Sequence, residues 1–161
     1  MCQVLYGASD RVLSLIKYDD ENPALWVGEL GSFEDEDELV IKQFTLPYIY
    51  YIGAHTYCGC GFRKRRRKLS LVKRALNLLK GEQKTFFESS EPDYVLDTAV
   101  DLTYKKLAHY LREGKGARLE LFYCVSGMQD QQPWGSETTR IIDIESEAFT
   151  FSLGHHYEVI D

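Results

Sequence analysis

The residues able to do chemistry crowd into one stretch, His55-x-x-Cys58-x-Cys60, with Arg63-Lys64-Arg65-Arg66-Arg67-Lys68 close behind. Thiolates and imidazole are ligands for zinc or copper(I). On an extended backbone, side chains two apart point the same way, so Cys58 and Cys60 can address one point. Gly59 and Gly61 remove side-chain bulk and permit close backbone approach. His55, Cys58 and Cys60 alone would leave a metal open to substrate or water. A fourth ligand from Cys124, Cys2, His155 or His156 would close the site and make it structural. The C-x-C spacing differs from the C-x-x-C of common zinc knuckles, so two other readings stand beside the metal. Cys58 or Cys60 could be a reactive thiol, with His55 as its base and the cationic run favouring thiolate. Both could also be small buried residues in a glycine-rich turn.

Cys2 offers a different nucleophile. Loss of Met1 would expose a cysteine whose own α-amine can act as its base. In the two residues Met1-Cys2 the chain resembles class II glutamine amidotransferases. That resemblance implies an N-terminal cysteine hydrolase with Cys2 as the catalytic residue. Those domains usually continue with glycine, where this chain has Gln3, and they run longer than this chain.

The basic run Arg63, Lys64, Arg65, Arg66, Arg67 and Lys68 could bind an anionic partner, a nucleic acid or an acidic protein, or be a solvated loop opposite the acidic block Glu34-Asp35-Glu36-Asp37-Glu38. The formal charge of −6 argues against broad coating of nucleic acid and leaves a local contact. His155 and His156 are adjacent, so on a strand they face opposite ways and at most one can join a common site. His109 falls on the polar side of a helix and reads as surface. There is no Walker loop, Rossmann fingerprint, HExxH or nucleophile elbow.

The N-terminus has no basic segment leading into a long apolar one, and no stretch approaches the roughly 20 apolar residues of a membrane span. The expected setting is therefore the cytoplasm, with four free thiols rather than a disulfide framework.

The elements that must position these groups follow from periodicity. Strands are expected at residues 2–8, 25–27, 39–44, 48–53 and 117–125. The segment 48–53 is apolar throughout, as a strand buried on both faces would be. A hairpin is expected from 139–144 and 148–153, broken by Gly154-His155-His156 and resuming at 157–160. Leu71, Val72, Ala75, Leu76 and Leu79 mark one helix face. A second helix is expected over 91–113, opened by a Ser90/Asp93 capping pattern and closed at Gly114. Residues 31–38 read as an exposed acidic loop and 63–68 as an exposed basic one. The sum is a single α+β domain over residues 1–161: about six or seven largely antiparallel strands packed on two central helices.

Overall fold

The computed structural model describes residues 2–31, 35–63, 67–68, 94–95, 98–146 and 148–161, with 35–37, 67–68 and 94–95 as backbone. Six strands form one mixed sheet in the order β2-β3-β1-β6-β8-β7: β1 Gln3–Ser9, β2 Leu25–Glu29, β3 Tyr48–Ala54, β6 Leu119–Val125, β7 Gly135–Arg140 and β8 His155–Ile160. All neighbours run antiparallel except β7 and β8, which are parallel. A separate two-residue ladder joins β4, Arg67–Lys68, to β5, Tyr94–Val95. Helix α1, Thr98–Glu113, and the short α2, Ile141–Glu145, complete an α+β fold. No described helix is long and apolar enough to cross a membrane.

β1 lies at the centre and is apolar on both faces, which is why residues 2–8 read as a strand from the start. Leu5 faces the helices, with Ile52 of β3 and Leu121 and Tyr123 of β6. Val4 and Tyr6 face the other way, with Tyr51, Phe122 and Cys124. α1 turns Val100, Thr103, Tyr104, Leu107, Ala108 and Leu111 inward, the spacing of one helical stripe. On the opposite sheet face the 3₁₀ segment Asp35–Gln43 contributes the deeply buried Val40.

Several expected elements are corrected. Residues 39–44 are not a strand: Leu39 and Ile41 are exposed while Val40 is buried, and the segment is 3₁₀ through Gln43. The 139–153 hairpin does not form. Ile141 and Ile144 are buried three apart on α2, a helical spacing that their sequence disguises as alternation. Residues 148–153 have no strand pairing, yet Phe151 still packs among Tyr104, Tyr123 and Tyr157. The last strand opens at His155, one residue after Gly154 at φ +74, rather than at Tyr157. The described α1 begins at Thr98, because Tyr94–Val95, an aromatic and a β-branched residue, pair with Arg67–Lys68 instead. The helix expected at 71–79 lies outside the described residues.

Tyr104 ties α1 to two loops. Its hydroxyl donates to Phe62 O at 2.5 Å and accepts from Phe151 N at 3.3 Å. Burial pushes its phenol up to about 12, and burial likewise raises Tyr110, Tyr123 and Tyr157. In the unfolded chain these phenols ionise near 10, so above that pH the native state holds more protons and stability falls as pH rises. The Tyr104 contribution is fully present below pH 10. Between pH 10 and 12 Tyr104 and Tyr123 should each add a slope of up to about 1.4 kcal/mol per pH unit, readable as a falling urea midpoint. Tyr104→Phe should flatten that slope by its own share. A midpoint constant from pH 9 to 12 would contradict this burial.

Candidate metal centre

The cysteine turn begins where β3 ends. Ala54 N donates to Cys58 O at 3.1 Å and Tyr57 N to Ala54 O at 2.9 Å, reversing the chain in a tight loop. Tyr57 adopts φ +67, a left-handed conformation that costs a non-glycine residue about 1–2 kcal/mol. Trp26 of β2 holds it there: the two rings stack at 5.0 Å, and Trp26 Nε1 donates to Tyr57 O at 2.9 Å. Gly53 makes room for the indole, since a Cβ at that position would fall 1.8 Å from Nε1. Tyr18 closes the other side, its ring edge-on to Tyr57 and its hydroxyl donating to His55 O at 3.1 Å.

Past Cys58 the chain enters the 3₁₀ turn Gly59–Phe62 and is pressed onto the start of β1. A Cβ on Gly59 would lie 2.7 Å from Gln3 O and Val4 Cα and 2.8 Å from Leu5 N, so only glycine fits. The Tyr123 hydroxyl lies 2.6 Å from Gln3 Oε1 and 3.2 Å from Gly59 O, pinning strand and turn together.

This close approach gathers three thiols from two distant segments. The Sγ atoms of Cys2, Cys58 and Cys60 all lie within 4.8 Å of one another. Two sulfurs on one tetrahedral ion are about 3.8 Å apart, so a modest side-chain rotation closes the set. Cys60 Sγ accepts from Gln3 N at 3.1 Å, and Cys58 Sγ from Cys60 N at 3.4 Å. Backbone N–H donors of this kind disperse the negative charge of metal-bound thiolates. Cys2 is exposed and the other two are half-buried, so an ion has a path in.

His55 is not in this group. Its Nδ1 sits 2.9 Å from Thr103 Oγ1, in space left by Gly61, whose Cβ would lie 2.9 Å from Nδ1. Thr103 Oγ1 is also 2.9 Å from both Ala24 O and Ala99 O. The threonine hydroxyl therefore donates to a carbonyl, and His55 Nδ1 carries the proton that reaches Oγ1. Of the other expected ligands, Cys2 alone joins. Cys124 is buried on the far face of the sheet beside Val4 and Phe122. His155 Nδ1 lies 2.6 Å from Glu137 Oε1. His156 Nε2 faces the buried carboxylate of Glu120 at 3.5 Å, and its ring leans on Phe44.

Of the basic run, Arg63 is exposed at the end of the cysteine turn, close enough for its charge to act on Tyr123. Arg67 and Lys68 enter β4, while Lys64, Arg65 and Arg66 lie outside the described residues. Sequence reasoning did not reach Gln3, Tyr123, Trp26 or Thr103, whose roles depend on strand register. Only Gly59 and Gly61 carried a local sign of tight packing. No protein-family model, curated protein or solved structure matches the chain.

Proposed function

We propose that this protein binds a thiophilic metal ion through Cys2, Cys58 and Cys60. One observation carries the reading: three sulfurs from segments 56 residues apart stand within 4.8 Å, held by a turn that only glycine permits. The Cys60 N–H on Cys58 Sγ is the cap of the 3₁₀ turn, but two buried cysteines in an ordinary turn would not need Cys2 beside them, nor the Gln3 N–H of a distant strand aimed at Cys60 Sγ. Zinc is one ion that such thiolates take, with a fourth position left to water or substrate. A reducing compartment such as the cytoplasm would keep the thiols available.

The test is metal content and melting temperature in the wild type and in single Ser variants. Loaded wild type should carry one ion per chain, and chelation should lower its melting temperature, because binding to the native state adds to folding free energy. Cys2→Ser, Cys58→Ser and Cys60→Ser should each lose the ion and the chelator effect, while Cys124→Ser keeps both. Variants that all load like wild type would overturn the proposal.

A further inference from the structure

We infer that the Cys2–Cys58–Cys60 group selects a cuprous ion over zinc. This deepens the metal reading above and rests on it.

The chain contains four cysteines and four histidines, and all eight are among the described residues. Every one outside the trio is placed elsewhere. Cys124 is in the far-face core, His55 is on Thr103, His155 is on Glu137 and His156 is on Glu120. His109 lies along the outer side of α1 against Glu113. Among the described residues no carboxylate joins the sulfurs either. Among the described residues the site is thus a three-sulfur set.

Zinc in thiolate sites is almost always four-coordinate, so here it would have to recruit water beside three soft donors. A cuprous ion is soft, carries one charge, and is satisfied by three thiolates in a trigonal arrangement. Three thiols and one cuprous ion give a tris-thiolate complex and three released protons, with no change of oxidation state. The complex carries two net negative charges, one more than its zinc counterpart. Gln3 N and Cys60 N already point at two of its sulfurs, and Arg63, a cationic residue, caps the end of the turn. The Tyr123 hydroxyl is taken up by Gln3 Oε1 and Gly59 O, so it does not compete as a ligand.

The experiment is an anaerobic competition on reduced full-length protein. Protein loaded with one equivalent of zinc is titrated with cuprous ion buffered by a chromophoric chelator. Released zinc and bound copper are both measured. The expected result is complete zinc release at one equivalent of copper and three sulfurs around copper by X-ray absorption. Cys58→Ser should weaken copper binding by about 100-fold or more, and Cys124→Ser should not. Zinc bound at one equivalent and retained against copper would overturn the selectivity while leaving the metal reading intact. Failure of both ions to bind wild-type protein would overturn both.

Discussion

Val100→Asp is expected to unfold the protein. Val100 is 5% exposed on the first turns of α1 and belongs to the main core cluster. A carboxylate there, set among the apolar side chains of that cluster, loses its hydration at a cost of about 4 kcal/mol, comparable to the whole stability of a small domain. Leu102→Asp is the matched control, because Leu102 is 44% exposed on the same helix and its replacement should change stability by less than about 0.5 kcal/mol. Far-ultraviolet circular dichroism and a urea titration separate the two. A folded Val100→Asp protein with the stability of Leu102→Asp would mean that α1 does not pack on the sheet through this face.

Gly59→Ala should lower stability and abolish metal binding together. Its added methyl would meet Gln3 O, Val4 Cα and Leu5 N at under 3 Å. Those atoms belong to β1, in which Gln3 and Val4 are paired with β6 and Leu5 with both β3 and β6, so the strand backbone is not free to yield. The turn must therefore lift from the strand, at a cost of about 3 kcal/mol. It would carry Cys58 and Cys60 away from Cys2. Gly116→Ala provides the comparison of magnitudes: nothing lies within 4 Å of its Cβ, and only its φ of +77 opposes a side chain. That change should cost about 1 kcal/mol and leave metal binding intact. Equal stability losses in the two variants, with metal retained in both, would refute the close-packed turn.

What could be read from the sequence follows from how local each feature is. β1, β3 and β6 were legible because strands buried on two faces are continuous apolar runs, and 48–53 and 117–125 carry them. α1 was legible over its later turns because its stripe and its Gly114 stop are both local. Its start was not, since pairing of Tyr94–Val95 with Arg67–Lys68 is a long-range choice. The 139–153 region misled for a related reason: Phe149 and Phe151 alternate with polar residues, but they pack as ring contacts on a loop. The strand partner of β8 on that side is the parallel β7, which no hairpin pattern announces. In the site, Cys58 and Cys60 stood out by spacing, and Cys2 was one of several possible fourth ligands. That the Cys2 sulfur, and not the His55 ring, stands beside theirs comes from register. Leu5 pairs with Ile52, so the start of β1 meets the end of β3, and the turn beyond folds back over Gln3. Thr103, contributed by α1, takes His55 out of the set.

The most direct measurement is thiol counting under native conditions, by mass spectrometry after brief alkylation, with and without one equivalent of bound metal. Without metal, Cys2, Cys58 and Cys60 should react while buried Cys124 does not. With metal, all three should be protected together, in proportion to the ion bound, because they share one centre. Metal that leaves any of the three reacting at its metal-free rate would contradict the three-thiolate site.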